Sequence, residues 1–353
     1  MLIALPIALT LTVNAAEVTS LPPAMRGDIE IDYAATVVPD SLEEDGQQVG
    51  ERRSIDHDLT YIARYGFAKA FALELELPHS ASSKIKHFNS NQMVYDPILD
   101  TGTMVGTESL PDSETAGKGA GGVMMRVVST PLSEDLFAER GDQITWLVGL
   151  GYQFKDETNQ WTVTDGQRGA GPLSPALELR SFWSTTNSMS EPYLGVIWTN
   201  RFASTVQPQG INKKVDIQDP SSLDLVTGLE IELHRDEDWA NGLGSEVALD
   251  LSATFSYQTW GDVVSGVTLP DVLSNTDGTS VTQSETSSLW GAMGVRWRIV
   301  EYLDWTINTA IGGPLGYRLE HPYPVSTSPS GKLGWQVGTA FNFRMRDPMF
   351  DPK

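Results

Sequence analysis

The sequence predicts an all-β protein, an antiparallel up-and-down transmembrane β-barrel of about 12 strands with short periplasmic turns and long extracellular loops. Three observations predict it. Apolar and aromatic residues recur at every second position through segment after segment. The connections between these segments alternate between short and long. Carboxylates and guanidiniums fall on the face opposite the apolar rows.

The alternation is plain from Asp28 to Val37. Ile29, Ile31, Tyr33, Ala35 and Val37 share one face, and Asp28, Glu30, Asp32 and Thr36 the other, because successive side chains of a strand point to opposite sides of its sheet. The pattern places strands at 27–38, 54–66, 71–77, 120–130, 142–154, 175–184, 191–202, 222–234, 244–258, 286–298, 301–312 and 333–345. Phe71, Leu73, Leu75 and Leu77 form an outward row, as do Ile144, Trp146, Val148, Leu150, Tyr152 and Phe154. Others are Val247, Leu249, Leu251, Ala253, Phe255 and Tyr257, then Leu303, Trp305, Ile307, Thr309 and Ile311, then Trp335, Val337, Thr339, Phe341, Phe343 and Met345. The segment 120–130 does not choose a face, since Val123, Met124, Met125, Val127 and Val128 are all apolar.

Links 39–53, 78–119, 155–174, 203–221, 259–285 and 313–332 are expected to be long loops on one side. Links 67–70, 131–141, 185–190, 235–243 and 299–300 are the shorter turns on the other. A soluble sandwich has no reason to sort its loops in this way. The 78–119 loop is long enough to fold inward as a constriction or to stay outside.

Composition narrows the classes. Net charge is −22, which argues against nucleic acid as a partner. Mean hydropathy is −0.21, too low for a bundle of spanning helices. The chain has no cysteine, which removes disulfides and thiolate chemistry. Met1 to Ala15 reads as a signal peptide, with an apolar run from Leu2 to Val13 and small residues at Val13-Asn14-Ala15, although no Lys or Arg precedes the run. The expected organisation is a signal peptide at 1–15, a periplasmic segment at 16–26, the barrel at 27–345 and a C-terminal tail at 346–353.

The inward face is the candidate site, as a lumen charge network. It is expected to hold Asp28, Glu30, Asp32, Glu74, Glu76, Glu178, Glu230, Glu232, Glu246 and Asp250 against Arg64, Arg126, Arg180, Arg296, Arg298 and Arg344. Asp56, Asp58, Asp304 and Arg201 face the same way. Arg344, ending the last strand, should meet Asp28 and Glu30, and Arg296 and Arg298 should lie near Glu246, so much of the charge should gather at the periplasmic end. Such a lining can select solutes, with a preference for cations, or fill the interior as a structural network. Tyr193 and Trp290, facing inward, are candidates for ligand stacking, whereas most outward tryptophans suit interfacial anchoring. His57 and Asn200 are the awkward outward residues. His57, His79, His87, His234 and His321 have no metal-ligand spacing, so no metal site, cofactor or catalytic residue is expected.

One hairpin carries a family resemblance. Ala63-Arg64-Tyr65-Gly66-Phe67-Ala68-Lys69-Ala70-Phe71-Ala72-Leu73-Glu74-Leu75-Glu76-Leu77-Pro78 resembles outer-membrane transporters grouped with the MetA pathway of phenol degradation. The resemblance covers about sixteen residues and implies passage of small solutes, apolar or aromatic ones among them. The tail beyond Phe343 departs from barrels that end on an aromatic residue read by the assembly machinery. The expectation is therefore a non-enzymatic, porin-like channel in the outer membrane of a Gram-negative envelope, reached through the periplasm. Its expected partners are outer-membrane lipids, a small solute and the barrel assembly machinery. The rivals are a structural or adhesive barrel with a plugged lumen, and a membrane-embedded lipid-modifying enzyme using His57.

Overall fold

The computed structural model describes residues 21–44, 47–88, 91–95, 104–109, 113–132, 144–155, 174–185, 189–206, 215–236, 245–264, 280–283, 285–300, 302–316, 319–320, 325–329 and 332–345. The expected signal peptide and the tail lie outside these residues, as do His321 and most of the long-loop residues. Twelve strands form the barrel wall. We number them β1 (Gly27–Glu44), β2 (Gln47–Ala68), β3 (Phe71–Phe88), β4 (Met124–Leu132), β5 (Ile144–Gln153), β6 (Ala176–Thr185), β7 (Ser190–Arg201), β8 (Ser222–Asp236), β9 (Ser245–Gln258), β10 (Thr286–Val300), β11 (Leu303–Gly316) and β12 (Gly334–Arg344).

Each strand pairs antiparallel with the next, and β12 pairs back onto β1, so the sheet closes on itself. The described residues contain no helix. Closure leaves no edge through the length of the wall, and every strand has a hydrogen-bonding neighbour on both sides. The seam runs from Asp28 against Arg344 to Val37 against Trp335. β3 has an additional partner above β4, the strand Ser113–Ala120, and β1 is extended by the strand Val325–Pro329.

Twelve strands fall where the alternation puts them, but two links differ from expectation. Residues 39–44 and 47–53 are strand, not loop: β1 and β2 pair as far as Glu44 opposite Gln47. The 78–119 segment is also largely strand. β3 runs on to Phe88, a small hairpin joins Asn91–Tyr95 to Met104–Ser109, and Ser113–Ala120 leads into β4. The short turn 69–70 lies beside a bulge at Gly66/Ala68, and a second bulge at Arg298/Val300 lies near the end of β10, each raising local twist.

Side-chain direction follows the alternation. Ile29, Leu73, Leu150, Leu251, Trp297, Ile307 and Phe341 point outward and are exposed. Glu30, Glu74, Asp250, Arg296 and Asp304 point inward and are buried. β4 does choose a face: Met124, Arg126 and Val128 are inside, and Met125 and Val127 outside.

The inner wall obeys a second rule. Large inward side chains stand in register with inward glycines on the next strand. Phe182 faces Gly195, Tyr193 faces Gly228, Trp290 faces Gly312, Asn308 faces Gly338, Arg126 faces Gly151 and Arg180 faces Gly149. The large side chain then lies flat across its neighbour's bare backbone. A Cβ at Gly195 would come within 2.1 Å of the Phe182 ring, and one at Gly228 within 2.3 Å of the Tyr193 ring. Glycine is needed here for close approach, not for a special turn.

The chain enters β1 through a tight reversal. Met25 is left-handed at a φ of 64°, and its amide donates to the carbonyl of Gly66. The Pro22 and Pro23 carbonyls pass so close to Gly66 that a Cβ there would lie 2.4 Å from one of them. Leu21 packs on an inward apolar group of Val128, Leu147, Phe182, Tyr193 and Val226.

The pairing rule makes a sharp prediction. Gly228→Val should destabilise the barrel by about 1–3 kcal/mol through overpacking against Tyr193. Gly291→Ala, whose Cβ meets nothing nearer than 4.0 Å, should stay within about 0.5 kcal/mol of wild type. Urea unfolding in detergent followed by tryptophan fluorescence measures both.

Candidate functional site

The lumen wall brings most of the expected charged residues into two groups. The first spans β1 to β6. Arg64 donates from Nη1 to Asp28 Oδ1 at 3.4 Å, from Nη2 to Glu30 Oε2 at 2.9 Å and from Nε to Glu74 Oε2 at 3.1 Å. Arg126 donates from Nη1 to Glu74 Oε1 at 2.7 Å and also to Glu76. Its other edge grips Glu178 in a two-point fork, Nε to Oε1 at 2.7 Å and Nη2 to Oε2 at 3.0 Å. Arg180 Nη2 closes on Glu74 Oε1 at 2.5 Å. Glu74 therefore accepts from three guanidiniums.

Glycine makes this geometry reachable. Arg126 on β4 and Glu178 on β6 are separated by β5, and a residue with a side chain on β5 would stand between them. β5 offers Gly149 and Gly151 there, and a Cβ at either would come within 2.8 Å of the Arg180 or Arg126 stem. Tyr193 on β7 reaches across Gly228 in the same way. Its hydroxyl donates to both Asp250 oxygens on β9, at 3.0 and 3.1 Å.

The second group closes the wall from β8 to β12. Arg296 Nη2 donates to Glu230 Oε1 at 2.5 Å and to Glu246 Oε1 at 3.0 Å. Arg298 binds Glu246 through Nη1 and Asp304 Oδ1 through Nε at 2.8 Å. Arg344 Nη2 reaches Asp304 Oδ2 at 2.5 Å. Arg344 does stand in register with Asp28, but its guanidinium turns to the strand on its other side. This group hugs the short-turn end. The first group climbs instead, because register around a barrel of tilted strands drifts along its axis. Glu178 lies near the loop end of β6, so the charge does not all gather at the short-turn end.

Asp32 and Glu232 also face inward, the latter just before a bulge that sends Leu233 outward. Arg201 donates to Gln153 Oε1 at 3.1 Å near the loop end, where Asp219 and Ser174 bond each other. His57 faces outward and sits midway along β2, because β2 starts earlier than expected. Its Nδ1 bonds the Tyr33 hydroxyl at 2.8 Å, and Ser82 on β3 stands opposite it in register.

Two features were missed in the sequence. One is the inward apolar patch of Val128, Leu147, Phe182, Tyr193 and Val226. Its signal was present as adjacent apolar pairs, Trp146-Leu147 and Phe182-Trp183, which no one-sided strand needs. The other is the polar stretch around Gln336, Asn308 and Asn342, uncharged and silent in a search for charge. No cluster of metal-ligand type occurs among the described residues.

Comparison with solved structures finds an outer membrane channel from Pseudomonas putida F1 that is 12% identical, with a TM-score of 0.53 over 94% of this chain and 100% of that one. The two chains share a fold. The β domain of the Bordetella autotransporter BrkA is 8% identical at a TM-score of 0.41, over 91% of this chain and 100% of that one. The P. putida toluene transporter TodX is 10% identical at 0.40, over 95% of each. Neither of these two bears on the reading. No family model matches the chain, and no curated protein matches it.

Removing Arg126 should be costly, since it leaves the carboxylates of Glu74, Glu76 and Glu178 without their shared cation. Arg126→Met should lower stability by about 3–5 kcal/mol. Glu178→Gln in the same chain should restore part of it, as read from the urea midpoint.

Proposed function

We propose that the protein is an outer-membrane channel for passive passage of small solutes, apolar or aromatic ones among them. The observation that carries this reading is the division between the two faces of one closed wall, apolar outside and largely ionic inside. On β9 the outward row from Val247 to Tyr257 has no charged residue. Ten residues at about 3.4 Å each, tilted by about 40°, span roughly 26 Å, close to the apolar band of outer-membrane barrels.

The outward aromatics support the same placement. Trp146 stacks on Trp183, and Trp305 on Phe341, both towards the short-turn end. Their indole N–H groups are satisfied on the wall itself: Trp146 Nε1 donates to Ser181 Oγ at 2.9 Å and Trp305 Nε1 to Thr339 Oγ1 at 2.8 Å. A donor facing hydrocarbon needs such a partner, since no water is there to supply one. The fold shared with an outer membrane channel agrees with this reading. In the proposed orientation the short turns are periplasmic and the tall β1–β2–β3 wall extracellular.

Inside, carboxylates outnumber guanidiniums, and Asp56 and Asp58 on β2 lie loopward of the Arg64 group. A cation-preferring lining follows. A second reading has one observation in its favour. Val128, Val226, Trp290, Thr306 and Gln336 face inward and are each less than 2% exposed or close to it, as in a lumen filled for structure.

Bilayer conductance separates the two. The channel reading expects discrete, cation-preferring currents, and an Asp56→Asn, Asp58→Asn double variant should reduce that preference by roughly fivefold, the effect of two charges about 8 Å from a permeating ion in water. A purified barrel that carries no current and leaks no solute from vesicles would leave the structural barrel as the answer.

A further inference from the structure

One stretch of the inner wall is unlike both ionic groups. Trp290, Gln336 and Asn308 face the lumen from β10, β12 and β11, at 2%, 1% and 8% exposure. Trp290 Nε1, both side-chain amide atoms of Gln336 and Nδ2 of Asn308 are buried and have no hydrogen-bond partner among the described residues. The three side chains are neighbours. Trp290 is in register with Gly312, and Gly312 with Gly334. Gln336 comes two residues after Gly334, opposite Ala310, and Asn308 lies opposite Gly338, two residues further on.

The surroundings are uncharged: Thr36 stands opposite Gln336 and Thr254 opposite Trp290, and the rest is apolar or bare. Val38, Ala310 and Ala292 pack with Trp290. The indole lies over Gly312 and reaches Gly334, where Cβ atoms would stand 2.8 Å from Cδ2 and 3.1 Å from Cη2. No Asp, Glu, Lys or Arg occupies any of these positions.

A buried donor or acceptor without a partner costs about 1–3 kcal/mol, and an apolar side chain of the same shape at 336 would avoid that cost. Native proteins keep few such groups. Four unpaired atoms on three adjacent strands call for a partner from outside the chain. The donor set defines its chemistry. Trp290 and Asn308 offer N–H donors, and Gln336 offers a donor and an acceptor, which suits a hydroxyl or a carbonyl. The indole, Val38 and Ala310 suit an apolar body, and a wall without charge gives an ion no reason to stop.

We infer that this stretch is a binding station for a small neutral solute with an apolar body and one hydroxyl or carbonyl group. The inference rests on the proposed channel and names its solute class. Trp290 is the fifth residue of β10 and Gln336 the third of β12 from their loop ends, whereas Arg296, Arg298 and Asp304 lie towards the short turns. A solute entering from the loop end meets the station before the ionic rim. No hydrogen bond holds the indole on its glycines, so it can lift to admit the solute.

The probe is benzyl alcohol, titrated calorimetrically into the purified full-length barrel in detergent, with toluene and benzoate for comparison. Wild type should bind benzyl alcohol saturably, toluene about tenfold more weakly and benzoate not at all, because toluene lacks the hydrogen-bonding group and benzoate is charged. Gln336→Leu should weaken benzyl alcohol about tenfold and leave toluene unchanged. Trp290→Phe keeps a ring on the glycine bed and loses only the N–H, and should weaken benzyl alcohol severalfold. If Gln336→Leu fails to fold on a heat-modifiability gel, Trp290→Phe decides. Equal benzyl alcohol affinity in wild type and the folded variants, or no saturable binding, overturns the station and leaves water as the partner. Conductance is scored separately. Current without discriminating binding removes the station and keeps the channel; discriminating binding without current keeps the station and removes the channel.

Discussion

Neighbouring strands of this wall lie about 4.8 Å apart, too close for two large inward side chains to lie flat at one level on both. That constraint organises everything inside this protein. Bulk on one strand is met by hydrogen on the next, so that side chains lie along the wall instead of projecting into the axis. The arrangement lets a residue act two strands away from its own backbone. Arg126 reaches Glu178 over β5, Tyr193 reaches Asp250 over β8, and Trp290 covers Gly312 and Gly334 in sequence. Without Gly149 and Gly151, the ionic group of β1 to β6 would break into local pairs.

The ionic groups also owe their form to confinement. A carboxylate taken out of water needs opposite charge and hydrogen bonds close at hand, or it will not stay ionised. Glu74, 5% exposed, has three guanidiniums around it. At the rim, where solvent is nearer, Arg344 makes do with Asp304 and keeps 41% of its side chain exposed. The interior is thus graded into an ionic wall, an apolar patch on β4 to β8 and an uncharged amide stretch on β10 to β12. In the proposed channel, such a lumen would distinguish solutes by polarity at least as much as by size.

How much of this was legible depended on which side of a strand met which medium. Where one face is apolar and the other polar or small, as on β9 and β12, the alternation gave both the strand and its direction. Above the apolar rows the sequence is polar on both faces, so Pro39 to Glu44, Gln47 to Arg53 and Pro78 to Phe88 carry no such contrast and read as loops, although they continue β1, β2 and β3. β4 was ambiguous for the opposite reason: Met124 and Val128 join an inner apolar surface while Met125 and Val127 point outward, and both sides are greasy. The charged residues were legible as a set, since a charge has only one tolerable side of the wall. Their partners were not. Arg344 sits opposite Asp28 but bonds Asp304, a choice made by side-chain reach across a register that only the closed sheet defines. Gln336 and Asn308 carry no charge and break no pattern, so nothing in the sequence singled them out.

The seam between β1 and β12 has a kinetic consequence. Neighbouring strands elsewhere are hairpins, and Ala68 is only three residues from its partner Phe71. Ile29 and Phe343 pair across almost the entire chain. Loop-closure entropy grows with the logarithm of the separation, so this last pairing carries roughly 4 kcal/mol more entropic cost than a two-residue turn. The hairpins can zip up early, and the cylinder shuts late. Until it does, the molecule is an open sheet with two raw edges, and those edges can recruit a second chain as readily as each other. Protection of β1 and β12 during that interval, more than the stability of the finished wall, would govern how much of the newly made protein reaches its folded state.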